Sequence, residues 1–233
     1  MQRTWDETEL LAAVTELGTA LRELVDASVA TTVGPAELRA AAAQAREVTG
    51  RLAASRRIRD QLPALDDATR SRRVYNPVSG VGSAIAPPLV FRRVEGGVTA
   101  EATLGLAYEG PPSYVHGGVS ALLMDQLLGA AALEAGRWGM TVRLEVDYRR
   151  PVPLEAPLVL RAEVGESPGR RTEVTGTIAL GTAPDEPLVA ARGVFVTPRP
   201  EQTAAYFGRI TDATGRTAPP SRPTDATGAV DGG

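Results

Sequence analysis

Residues 117–135 have helical spacing but almost no polar face, with Ala121, Leu122, Leu123, Leu127, Leu128, Ala131 and Ala132 distributed all round the turn. A helix that is apolar on every side needs cover on every side. The flanking sequence supplies that cover at a different period. Val98, Ala100, Ala102, Leu104 and Leu106 alternate with polar or small neighbours before the helix, and Met140, Val142, Leu144, Val146 and Tyr148 do so after it. Leu158, Leu160, Ala162 and Val164 form a further alternating set, Val174 and Ile178 anchor another, and Leu188 to Val196 one more. Period-two alternation marks half-buried strands. ESPGRR at 166–171 and TAPDEP at 182–187 carry hairpin-turn residues, so the last strands are expected to pair antiparallel. The expected class is α+β, with an antiparallel sheet wrapped round one long central helix over residues 89–200.

The chain ends follow other patterns. Within residues 1–60, Thr4 and Glu7 match a capping box. Leu10, Val14, Leu17, Leu21 and Leu24 then recur at spacings of three and four, on one helical stripe. TTVGP at 31–35 interrupts, and Leu38, Ala41, Ala45, Val48 and Leu52 resume the same spacing, which predicts an N-terminal helical hairpin. Arg46, Arg51, Arg56, Arg57 and Arg59 make its far end basic, as a solvated face would be. Residues 61–88, with NPVSGVGSAIAPP, read as a connector over the surface, and residues 208–233 as a disordered tail.

What is missing from the chain limits its chemistry. There is no cysteine and one histidine, which rules out disulfides, a cysteine nucleophile and the usual His/Cys zinc site within one chain. All 25 basic residues are arginine, so Schiff-base and P-loop lysine chemistry are also excluded. No metal or cofactor is expected. A net charge of −3 without a concentrated basic face gives no reason to expect a nucleic-acid partner. No apolar run approaches the roughly 20 residues of a membrane span. The polar, acidic start is unlike a secretory signal, which leaves a cytoplasmic location as the default. An acid–base group or nucleophile is therefore expected among Asp and Glu.

One stretch concentrates the candidates. YVHGGVSALLMDQ, residues 114–126, holds the single histidine, His116, then Gly117 and Gly118, and sets Asp125 inside the apolar helix. The first N–H groups of a helix have no intrahelical partner and lie at the positive end of its dipole, so they can stabilise an oxyanion. The glycines also have a plain reading, as a turn from strand to helix. Asp125 likewise either lies on a solvent-facing strip or does chemistry, because an unpaired carboxylate in an apolar core is costly. Gly117 and Asp125 are eight residues apart, roughly 12 Å along one helix. Shared action on one carbonyl would then require the helix N-terminus of a second copy, which points to a two-fold homo-oligomer.

GPPSYVHGGVSALLMD, followed fifteen residues after the aspartate by MTVRLEVDYRRPVPL, resembles the hotdog-fold acyl-CoA thioesterases. The branch is that of phenylacetyl-CoA-type and mitochondrial long-chain acyl-CoA thioesterases, and the resemblance spans about residues 74–200. It implies an acyl-CoA substrate and an active site between two subunits. Asp125 would be the general base or nucleophile, the Gly117 N–H would polarise the thioester carbonyl, and His116 and Gly118 would shape the loop. Thr141 matches a position that orients the attacking water. Gly110 stands where some relatives place an Asn or Gln beside the thioester. Leu122, Leu123, Leu127, Trp138 and Met140 are candidates for an acyl tunnel, and Arg149, Arg150, Arg170 and Arg171 for the CoA phosphates. The same fold also serves non-catalytic acyl-CoA or acyl-carrier binding modules, and hydratases that rely on a His–Asp pair.

Overall fold

The structure is a computed structural model that describes residues 6–66, 72–212 and 214–217. Helix α1 runs Glu7–Ala30, and its N-cap is Asp6, whose carboxylate accepts from the Thr8 and Glu9 N–H groups. Aspartate caps as well as threonine does, and Asp6 replaces the Thr4 cap; Thr4 itself lies outside the described residues. Helix α2 runs Pro35–Ala53, with proline in its first turn and a four-residue connection from α1. α1 is seated on the rest of the chain as far as Asp26, whose carboxylate lies against Gly105. A Cβ on Gly18 would lie 2.2 Å from the Val81 carbonyl oxygen, so glycine is what lets the helix rest on that backbone. The Arg22 guanidinium fastens the same contact, donating to the Val81 and Ser83 carbonyls at 2.9 and 2.8 Å.

The central helix, α3, spans Gly117–Glu134. Around it run β1 (Arg92–Val94), β2 (Gly97–Ala102), β3 (Met140–Tyr148), β4 (Leu158–Val164), β5 (Arg171–Leu180) and β6 (Ala183–Val196). They form one antiparallel sheet, as the alternation predicts, in the order β1-β2-β4-β5-β6-β3 that the sequence did not indicate. Leu123, Met124, Leu127, Leu128, Ala131 and Ala132 of α3 are buried against Val98, Leu160, Val174, Ile178, Val189 and Phe195 of the sheet. Each such aliphatic side chain contributes about 1.5–3 kcal/mol on full burial. Gly193 makes the approach close: a Cβ there would stand 3.0 Å from a Leu128 methyl and 2.8 Å from the Phe195 ring.

Four sequence expectations change, the first being that the strand read through Leu106 ends at Ala102, with Leu106–Tyr108 a 3-10 turn. The segment expected to connect over the surface is packed against α3, with Val74, Val78 and Ala86 buried. Asn76 organises it: its Oδ1 accepts from the Val78 and Ser79 N–H groups, and its amide donates to the Gln126 side chain at 2.8 Å. TAPDEP is only partly a turn, because β6 already begins at Ala183 and reaches regular pairing with β5 after register shifts. After β6 a short helix, α4 (Pro200–Phe207), leads into residues that return to the base of the hairpin. The Thr211 carbonyl accepts from the Leu62 N–H at 2.8 Å, and the Thr211 N–H donates to the Asp60 carbonyl at 2.9 Å. The first part of the expected disordered tail is thus held in place, while residues 218–233 lie outside the described residues.

Candidate functional site

His116 is the N-cap of α3. Its backbone is extended, its N–H donates to the Tyr108 carbonyl at 2.9 Å, and its Nδ1 accepts from the Gly118 N–H at 3.0 Å. An imidazole nitrogen that accepts is unprotonated, so the ring proton sits on Nε2. The carbonyl of Gly117, in the same peptide unit as the Gly118 N–H, accepts from the Tyr148 hydroxyl at 3.0 Å. One peptide is thereby held at both ends, by His116 within the turn and by Tyr148 from β3. The neighbouring Gly117 N–H has no acceptor among the described residues. It stands at the positive end of the helix with its orientation fixed and its hydrogen uncommitted.

The glycines do not serve a left-handed turn, because neither Gly117 nor Gly118 has positive φ. A Cβ on Gly117 would meet only the Tyr148 ring, at an ordinary 3.4 Å. Packing within the chain therefore leaves room for a side chain at 117. Gly110 is different: a Cβ there would lie 2.7 Å from His116 Cα and 3.2 Å from its ring. A side chain of any size at 110 would press on the His116 backbone in this loop. The Gly110 N–H is used to close the loop, donating to the Tyr114 carbonyl at 2.9 Å.

Asp125 lies two turns further along α3, on the side away from the buried stripe, and is half-buried. The Thr141 hydroxyl donates to its Oδ1 at 2.9 Å. No arginine pairs with it among the described residues. Simple alternation would turn Thr141 away from Leu144 and Val146. A bulge between Thr141 and Arg143 resets the phase, so that Thr141 opposes Phe195 and shares the helix-facing side with Leu144 and Val146. The extra residue, Val142, is left 57% exposed, and Met140 42% exposed, on the outermost strand of the sheet.

The remaining candidates separate. Leu123 and Leu127 are sealed in the core, whereas Leu122 is exposed on the Asp125 side of the helix. Trp138 packs edge-to-face on Phe207 of α4, with ring centroids 6.2 Å apart, and its carbonyl accepts from Thr197. Arg150 is forked onto Glu186 at 3.2 and 3.3 Å, and Arg170 donates to the Thr197 carbonyl. Arg149 and Arg171 have no side-chain partner among the described residues and are the freer cations. Sequence reasoning placed Tyr148 in a strand and within the stretch that carries the resemblance, without a role in the site. Its position at the end of β3, opposite the helix N-terminus, could be found only from the pairing of strand and helix. Burial pushes the Tyr108 hydroxyl above its ordinary range, and that hydroxyl faces the Ile85 carbonyl at 3.3 Å.

A capped helix N-terminus and a hydroxyl-held carboxylate on one helix, inside an antiparallel wrap, define a hotdog-type site. A family profile described as the thioesterase superfamily matches residues 113–182, which span this site. A crystal structure of a thioesterase superfamily protein superposes with a TM-score of 0.70 at 35% identity, covering 78% of this chain and 94% of that one. The chain belongs to the thioesterase superfamily. Among curated proteins it is 38% identical over 63 residues to acyl-coenzyme A thioesterase THEM4 of Xenopus laevis, covering 27% of this chain and 28% of the relative. It is 35% identical over 74 residues to the Mus musculus protein of the same name, 32% of each chain. The match thus spans about a third or less of these curated relatives' length.

Proposed function

We propose that the protein hydrolyses acyl-CoA thioesters to the free acid and CoA, in composite sites formed by two copies of the chain. The observation that carries this reading is the Asp125 carboxylate, half-buried on an apolar helix, unpaired with any described cation and oriented by Thr141 at 2.9 Å. Asp125 acts as general base on water or as nucleophile on the thioester carbonyl, and the Thr141 hydroxyl fixes the oxygen it touches. The uncommitted Gly117 N–H receives the charge that develops on the carbonyl oxygen. Glycine at 117, which neither backbone conformation nor packing within the chain demands, leaves room for the thioester to approach from outside.

Geometry supports the pairing of two copies. β3 is a nine-residue strand at the sheet edge, with Met140 and Val142 exposed. Such an edge invites a further strand. Antiparallel two-fold pairing centred near Leu144 would set the Thr141 end of one β3 beside the Tyr148 end of the other. Asp125 of one protomer would then face the partner subunit's Gly117. A hydratase reading is less well served, because Nδ1 of His116 is occupied by the helix cap. The test is release of free thiol from acyl-CoAs of short to long chain, with Asp125→Asn in parallel. Loss of a general base predicts a fall of about 10²–10⁴ in turnover, with the fold retained by circular dichroism. Wild-type turnover in the variant removes Asp125 from the mechanism. Tight binding of acyl-CoA without thiol release from the wild type replaces the hydrolase with a binding module.

A further inference from the structure

The helical hairpin is less buried than a finished helical element should be. α2 has no buried residue, and from Glu23 onward every residue of α1 is exposed. The exposed side chains include the apolar stripes themselves: Leu24 is 50% exposed, Val29 52%, Leu38 48% and Leu52 52%. An isolated helix of this length is marginal in water, and most helical stability comes from packing an apolar face. The charges are equally one-sided. α1 carries Glu7, Glu9, Glu16, Glu23 and Asp26 against Arg22 alone, although Glu7 is already paired with Arg72 at 2.7 Å and Asp26 lies against Gly105. Residues 35–59 carry Arg39, Arg46, Arg51, Arg56, Arg57 and Arg59 against Glu37 and Glu47. Glu16, Glu23, Arg39, Arg46 and Arg51 form no ion pair among the described residues.

We propose that the hairpin is a self-association arm: the α1–α2 face of one chain packs antiparallel on the same face of a second copy, so that acidic α1 meets basic α2 across a two-fold axis. A two-fold contact requires a self-complementary patch, and one acidic and one basic helix, each with exposed leucines, offer one. Four helices would then close a small bundle and bury leucines that a single chain leaves half exposed. This surface is separate from the β3 edge and does not depend on the thioesterase reading.

The chain's lack of cysteine makes the test clean. Full-length single-cysteine variants on α1 (Leu17→Cys or Leu24→Cys) are mixed with differently tagged variants on α2 (Leu38→Cys, Ala45→Cys or Leu52→Cys) and oxidised. In parallel, Leu38→Glu/Leu52→Glu is compared with wild type by sedimentation over a concentration series. The expected result is a cross-chain disulfide between α1 and α2 in at least one mixture, and self-association at least about tenfold weaker in the glutamate variant. Circular dichroism should show its sheet intact. Unchanged association together with no cross-chain disulfide in any mixture overturns the proposal. So does weakened association whose only cross-chain disulfides join a variant to itself, since that would pair like helices. Both results are independent of whether the same samples turn over a thioester.

Discussion

The Gly117–Gly118 peptide carries more constraint than any other backbone unit of the site, because Tyr148 holds its carbonyl and His116 its N–H. Tyr148→Phe keeps the ring against Gly117 and removes only the hydroxyl. A neutral hydrogen bond contributes about 0.5–1.5 kcal/mol, so kcat should fall by up to about tenfold. KM should change much less if the bond aims the Gly117 N–H at charge that develops in the transition state. A rise in KM with kcat intact would make Tyr148 a ground-state binding residue instead. Thr141→Val tests the other half-site. Valine preserves the β-branched strand residue and deletes the donor to Asp125. A hydrogen bond to a charged group contributes about 1.5–3 kcal/mol, and the exposure of Thr141 puts the expected loss at the lower end, roughly tenfold in kcat. Turnover equal to wild type would leave Thr141 an ordinary strand residue.

Elements bring these residues together, and the loop between the 3-10 turn Leu106–Tyr108 and α3 is closely packed on the start of α3. Gly110→Ala puts a methyl 2.7 Å from His116 Cα, where backbone and not a flexible side chain must give way. Overpacking of this kind costs about 1–3 kcal/mol, which thermal unfolding should register as a lower melting temperature, with turnover falling alongside. A variant as stable and active as wild type would show that the loop is softer than its contacts imply. The period-two strands, the apolar helix and the HGG turn were legible in the sequence because each rests on a local pattern. The bulge at Val142 was not, since one extra residue in a strand leaves no mark on composition yet reverses which of Thr141 and Val142 faces Asp125. Nor was the cover over α3. Asn76 and Val78 sit among prolines and glycines, so the segment reads as solvent-facing until the long-range contact with Gln126 is seen.

At the scale of the whole molecule, Gly117 and Asp125 lie on one helix but about 12 Å apart, and the proposed function has two copies of the chain complete each site. Complementation tests this directly. Asp125→Asn lacks the carboxylate but keeps an intact helix N-terminus, whereas Gly117→Ala keeps Asp125 and places at the oxyanion end a methyl that meets only ordinary contacts within this chain. Each variant alone should be nearly inactive. When equal amounts are mixed and allowed to exchange subunits, half of the dimers are mixed. In each mixed dimer, one composite site receives both wild-type halves and the other both altered halves. About a quarter of wild-type activity should therefore return if dimers are two-fold and their sites are shared. A mixture that stays as inactive as its components, under conditions where mass analysis shows mixed dimers, would place the entire site within one chain. Asp125 and Gly117 would then have to be separated in mechanism as they are along the helix.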